Sequence, residues 1–344
     1  VATVKVPFIH GGAEVHAEGL RAALTAAGHE VDLLMLPFKW YPPERVLDHI
    51  LSCRLLDLTE SEGQPIDLLI GLKFPAYCIR HPRKVLWIIH QHRQAYDLWE
   101  RQEADLVHAG DGRQVREAVR QADFATISEA RAVFSNSANV ANRLRKFTGI
   151  ESEPLYHPPL NAEAFHCSGQ EDFFFAPGRL WPNKRQSLII ESLALTKQPV
   201  RVCFAGVANH EAYENELKRL ARLHAVDSRV EWLGRITEQE KLDRYARCLG
   251  VLYPPEDEDY GYVTLEAMLS SKPVITCSDS GGPLEFVIDE RTGLVASPDT
   301  AGLAAAMDTL WRNRDAAREW GLAGRRRYAE FDISWDTVVR RLLA

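Results

Sequence analysis

The sequence predicts an α/β protein made of two doubly wound parallel-sheet domains in tandem. Short apolar runs of strand length alternate with helical runs along the chain. The rhythm breaks once, at a proline-rich stretch, and then restarts. The 344 residues suffice for two domains that each bury a core.

Residues 3–6 read as the first strand, and Gly11-Gly12 opens a helix over 13–27. Leu20, Leu24 and Ala27 recur there at helical spacing, and Gly28 is a natural stop. Residues 30–36 form the next strand. Pro42-Pro43 opens a helix over 45–58, with Val46, Ile50 and Leu51 on one face. Residues 67–70 and 85–89 are apolar runs of the kind found in buried parallel strands. A polar stretch over 91–112 precedes helices at 114–121 and 129–132, a short strand at 132–136 and a helix over 137–147. Pro154, Pro158 and Pro159, followed by polar residues 161–171, mark a linker that divides 1–157 from 158–344. In the second half, strands are expected at 173–176, 200–205, 230–233, 251–253 and 274–276. Helices are expected at 184–195, 211–224 and 237–248. Tandem sheets of this kind face a central cleft with the carboxyl ends of their strands. Helices from 300 onward belong to the second domain, and the last one, about 328–343, is open to crossing back to the first.

Composition narrows the function. A net charge of −7, with arginines interleaved among acids, argues against a nucleic-acid partner. The six cysteines form no CxxC pair, which points to a reduced cytoplasmic setting with no zinc site or disulfide framework. No apolar run approaches the ~20 residues that span a bilayer. The opening residues read as a strand and not as a signal peptide, though the missing initiator Met leaves room for a short lost segment. Peripheral contact at the inner face of a membrane stays open. GxGxxG, GxxxxGK[ST] and GxSxG are all absent, which disfavours dinucleotide oxidoreductases, P-loop NTPases and serine hydrolases.

The most informative stretch runs from Tyr253 to Met268. A strand ends at Tyr253, an acidic loop Glu256-Asp257-Glu258-Asp259 follows, and Gly261 begins a helix to about Ser271. Amide groups at Tyr262, Val263 and Thr264 are then available to a phosphate. By itself the acidic loop reads equally well as a solvated N-cap. Glu258, seven residues before Glu266, is followed by Lys272-Pro273-Val274-Ile275 and Gly281-Gly282-Pro283-Leu284-Glu285. This combination resembles the retaining family 4 glycosyltransferases (glycosyl transferases group 1), over nearly the whole chain. Gly178-Arg179-Leu180-Trp181-Pro182-Asn183-Lys184 is similar to the family's strand–GR–loop–K element, where the two cations can clamp a diphosphate. The family usually has Gly after this Lys; here it is Arg185, a departure that adds charge. Gly11-Gly12-Ala13-Glu14 resembles the family's first loop. His90, at the end of its strand, matches the family's strand-end His, with His92 two residues on as the competing register.

The resemblance implies the GT-B fold of two Rossmann-like domains, with the acceptor on the first and a nucleotide-diphosphate sugar on the second. It implies that Glu258 and His90 position the sugar, and that Arg179, Lys184 and the helix start at Gly261 hold the diphosphate. Glu266 would take the ribose, Arg235-Ile236 the base, and Gly282 would line the pocket. Gly11, Gly12 and Glu14 would approach donor and acceptor. No cofactor and no metal are expected, because fixed cations can stabilise the leaving group. Asp257-Glu258-Asp259 as a DxD metal site is the competing reading, and a carboxylate pair of the glycosidase kind a poorer one. The acceptor, a saccharide, lipid-linked or small molecule, is expected near the 91–112 segment, with Arg93, Tyr96 and Trp99 as contacts. A sugar-nucleotide epimerase, a phosphorylase and a non-catalytic nucleotide-sugar binder are the alternatives.

Overall fold

The structure is a computed structural model and describes residues 1–8, 11–99 and 105–344. The chain forms two compact units, one comprising Val1–His157 with Ser334–Ala344 and the other Pro158–Ile333.

In the first unit, six parallel strands lie in the order Leu34–Pro37, Ala2–Lys5, Leu69–Lys73, Lys84–His90, Ala132–Ser135, Glu153–Pro154. The helices Gly12–Ala26, Arg45–Leu55, Gly112–Ile127 and Ala138–Thr148 accompany them. The core strand Lys84–His90 is buried almost along its length, as its unbroken apolar run predicts. The return of the chain's last helix, Trp335–Leu343, is seated on this unit. Trp335 packs its ring at 6.3 Å from Trp87 and 5.7 Å from His157. Gly19 admits it, since a Cβ there would meet the indole at 2.4 Å.

In the second unit the order is Val230–Gly234, Val202–Ala205, Phe174–Pro177, Gly250–Leu252, Val274–Cys277, Gly293–Ala296, again all parallel. In chain order this is 3-2-1-4-5-6, the doubly wound arrangement whose direction of growth reverses beside its first strand. The strands carry the core residues Phe174, Val202, Phe204, Leu252 and Ile275, all essentially buried.

Several boundaries differ from the sequence reading. Residues 129–131 are turn and bend and Ala132 already begins a strand, because the Arg131 N–H is drawn onto the Lys84 carbonyl at 2.9 Å. The second strand starts at Leu34, and the helix read over 45–58 stops at Leu55. The helix read from 184 starts at Gln186. The strands Glu153–Pro154 and Gly293–Ala296 extend the two sheets beyond the runs read from the sequence. No helix among the described residues is long and apolar enough to cross a membrane. All six cysteines are free, and all but Cys167 are buried.

Candidate functional site

Because the six strands of the second unit are parallel, every loop after a strand emerges on one edge of the sheet. The two that flank the reversal of strand order follow Phe174–Pro177 and Gly250–Leu252. Ligands of open α/β sheets bind at such a point, and these two loops carry Arg179, Lys184 and Glu258.

The Lys184 ammonium pairs with the Glu258 carboxylate and donates to Tyr253 Oη at 3.3 Å. Both charged side chains are about four-fifths buried. Burial, then the Glu258 charge, pushes the Tyr253 phenol well above its usual range, so it stays a neutral donor. Arg179 is exposed and has no carboxylate partner among the described residues, and its carbonyl accepts from the buried Gln186 amide at 3.0 Å. Lys184 and Glu258, read as separate actors, are therefore one ion pair, and Arg179 stands apart as the open cation.

Glu258 is fixed by its backbone as well. Its N–H donates to Ser280 O at 2.9 Å, and its carbonyl accepts from the Gly282 N–H at 2.8 Å. Gly282 thus braces Glu258 from the loop after Val274–Cys277. Gly261 caps the helix Tyr262–Leu269 with φ 89°, a left-handed value that favours glycine. The Thr264 N–H does not fit the expectation of an open phosphate donor: it donates to Gly261 O at 3.0 Å, tightening the first turn.

Glu266 lies in the second turn of this helix and is 9% exposed. Lys241 Nζ donates to its Oε1 at 2.9 Å and Tyr245 Oη to its Oε2 at 2.7 Å. Both partners come from the helix Glu238–Arg247, which begins just after Arg235 and Ile236. Arg235 is exposed at the end of the strand Val230–Gly234, and Ile236 is half-buried beside it. Neither Lys241 nor Tyr245 stood out in the sequence, although their spacing of four on one helix face was available to be read.

Arg185 does not add charge to this cluster. Its guanidinium forks onto Asp279 at 2.7 and 2.6 Å and lies 3.8 Å from Glu256. Asp257 and Asp259 flank Glu258. No group of three His, Cys, Asp or Glu side chains among the described residues is placed to hold a metal ion.

In the first unit the sequence-predicted residues are more dispersed. The helix Gly12–Ala26 starts beside residues 9–10, which lie outside the described residues. Glu14 is buried and accepts the Gly11 N–H at 2.8 Å, so it caps its own helix. His90 ends the strand Lys84–His90, half-buried, with Nδ1 2.7 Å from Gln91 O. Beyond it the chain turns. Gln91 is buried, and His92 packs on Phe74 and Phe38 at 5.5 and 6.2 Å. Burial and the neighbouring His90 and Lys73 charges push His92 down to about 4.

Two expected acceptor contacts are core residues instead. Tyr96 donates to Asp123 at 2.7 Å, and the buried Trp99 carries Arg116 over its ring at 4.4 Å. Arg93 pairs with Asp97 at 2.6 Å. Residues 100–104 of the predicted acceptor segment lie outside the described residues. Asp123, missed in the sequence, is fully buried and accepts from Tyr77, Tyr96 and Gln91; burial raises it to about 6. Beside this network is an open pocket of about 300 Å³ whose lining includes Trp40, Tyr41, His92, Gln94, Asp105 and His108.

Residues 161–327, nearly all of the second unit, match the family described as Glycosyl transferases group 1. The likeness to this family lies in the second unit. The alpha-1,3/1,6-mannosyltransferase ALG2 of Mus musculus is 27% identical over 218 residues, covering 56% of this chain and 52% of that protein. The chain spans about half the length of the curated relatives it matches. A sucrose-phosphate synthase from Thermosynechococcus elongatus superposes with a TM-score of 0.77 at 18% identity, over 99% of this chain and 96% of that one. HepE of Anabaena, solved in complex with UDP-glucose, gives 0.72 at 17% identity, over 99% and 97%. At these identities the likeness shows the fold alone, which is GT-B.

Proposed function

We propose that this chain is a nucleotide-sugar-dependent glycosyltransferase that moves a hexose, most simply a mannosyl group, onto an acceptor hydroxyl. The observation that carries the reading is the meeting of Lys184, Tyr253 and Glu258 at the strand-order reversal, beside the helix start at Gly261. The family match over 161–327 and the mannosyltransferase named among the relatives supply the chemistry.

In this reading the diphosphate sits against the helix start, with Arg179 and Lys184 as its cations. Breaking the glycosidic bond leaves negative charge on the β-phosphate oxygen, which those cations stabilise without a divalent metal. A diphosphate shares the Lys184 ammonium with Glu258, and the carboxylate then has lone pairs for a sugar hydroxyl. Glu266, oriented by Lys241 and Tyr245, keeps acceptor capacity for the ribose. The base lies near Arg235-Ile236. The acceptor attacks from the leaving-group face and passes its proton to a phosphate oxygen, so the anomeric configuration is retained. His90 contributes to sugar placement. The pocket lined by Trp40, Tyr41, Gln94 and His108 is the acceptor site, since it joins aromatic faces to polar groups that suit a saccharide.

A thermal-shift screen with UDP-, GDP- and ADP-sugars identifies the donor, because a ligand at 100 times its Kd stabilises by ~2.7 kcal/mol. Glu258→Gln is expected to lower turnover on that donor about a hundredfold while the nucleotide still shifts the melting curve. Undiminished turnover removes Glu258 from the site. NMR of the product anomer tests retention, and turnover in EDTA tests the metal-free reading.

A further inference from the structure

We infer that Arg185 and Asp279 form a clamp that positions Lys184 and Glu258 for the reaction, an inference that rests on the donor site proposed above. Arg185 has φ 55°, in the left-handed region. A non-glycine residue there is strained and persists when its surroundings over-determine it. What holds it is the fork onto Asp279, with both N–H···O distances at or below 2.7 Å and Glu256 at 3.8 Å. The two residues are 94 positions apart in sequence, on loops that follow different strands.

The clamp closes a small framework of three loops. The Glu256 N–H donates to Asn183 O at 2.7 Å, tying the acidic loop to the turn that carries Lys184. The Asp257 N–H donates to Asp279 O at 3.0 Å, and the Glu258 N–H to Ser280 O at 2.9 Å. Glu258 is therefore held by the loop that Asp279 anchors, while Lys184 is the immediate neighbour of Arg185. Severing the fork lets the Lys184 turn and the 279–282 loop move independently. Lys184 and Glu258 are an ion pair, so such movement changes where both charges lie. Arg185 acts through these neighbours and does not face the substrate, because its guanidinium is occupied by carboxylates. Lysine cannot replace it, since only the planar fork meets both carboxylate oxygens.

The test uses the full chain. Arg185→Gly removes the fork and also relieves the left-handed backbone, so a stability loss is not built into it. Expected are a fall in kcat of about ten- to a hundredfold, as for a reacting group displaced by a fraction of an ångström, and a donor KM within about twofold. Amide hydrogen exchange should rise in peptides covering 256–261 and 279–282. Arg185→Lys should resemble Arg185→Gly, and the exchanged pair Arg185→Asp with Asp279→Arg should recover part of kcat. Wild-type kcat and exchange in Arg185→Gly overturn the inference. So does a donor KM raised about tenfold at unchanged kcat, which would make Arg185 a substrate contact. Should Arg185→Gly fail to fold, Asp279→Asn is judged by the same readouts. If the wild-type chain turns over no nucleotide-sugar, the donor reading fails while the exchange data still decide the clamp.

Discussion

The two units share one architecture and differ in where they place their polar groups. Each is a six-stranded parallel sheet with loops on one edge. In the second unit that edge is stitched by ion pairs between loops and helices: Lys184 with Glu258, Arg185 with Asp279, Lys241 with Glu266. The first unit has ion pairs too, such as Lys84 with Glu129 and Arg93 with Asp97, but it also buries polar groups in its core. Asp123 is wrapped by two tyrosines and a glutamine, and the tilted rings of His16 and His157 lie 4.2 Å apart, with His157 against Trp87 and Trp335. Paired charges at an edge can be lent to a charged ligand; a network closed in the core holds a shape. In the reading proposed above, the difference means that donor chemistry and scaffold rigidity are kept in separate units.

That contrast can be broken at either end, and the largest effect is expected at Lys184. Lys184→Ala leaves Glu258 without its cation in a mostly buried site, and turnover at saturating donor should fall by about 10²–10³. Initial rates measure it, and a loss of less than tenfold would move the diphosphate cation elsewhere, to Arg179 first.

The next effect belongs to the first unit and to pH. Burial pushes His16 down to about 3 and His157 well below its usual value, so the folded state binds fewer protons than the unfolded chain. Their stability contribution is whole above pH ~6.5 and is lost as pH falls. For His16 alone the loss by pH 5 is about 2 kcal/mol. Asp123 works in the other sense: raised to about 6, it weakens the fold as pH rises from about 4 to 6. Urea denaturation of His16→Leu across pH 7 to 5 should show a flatter profile than wild type. A parallel profile would mean that His16 is already protonated or solvated when folded.

The smallest effect is expected at Glu266. Glu266→Gln keeps a hydrogen-bonding group but loses the charge paired with Lys241, and donor KM should rise about tenfold with kcat nearly kept. A fall in kcat at constant KM would blur the separation between ribose anchoring and sugar placement.

The sequence carried the architecture because parallel β/α units repeat an apolar strand and an amphipathic helix, and both periods are local. The strand Gly293–Ala296 escaped because four apolar residues between Thr292 and Ser297 show no period. The place of Arg179, Lys184 and Glu258 on loops at one sheet edge was legible because a strand end followed by a helix start predicts which side of a sheet a loop occupies. The partnerships were not. Lys184 and Glu258 are 74 residues apart, and only the strand order 3-2-1-4 makes their loops neighbours. Arg185 was misread for the same reason: its charge was visible, whereas the carboxylate that absorbs it lies beyond four intervening strands in the chain. Trp99 and Tyr96 looked like ligand contacts because aromatic residues in a polar stretch suit both a binding surface and a core. Burial, which local pattern does not encode, decides between them.

The seat of the last helix has a bearing on biosynthesis. Trp335, Val338 and Leu342 complete a core whose other members, Leu20, Trp87 and Leu155, were made near the start. The second unit lies wholly between them in the chain. On the ribosome the second unit can therefore close its sheet while the first unit still lacks one wall. The unit begun first is the one finished last, and its uncovered apolar face must be kept from other chains until the final turns of helix emerge.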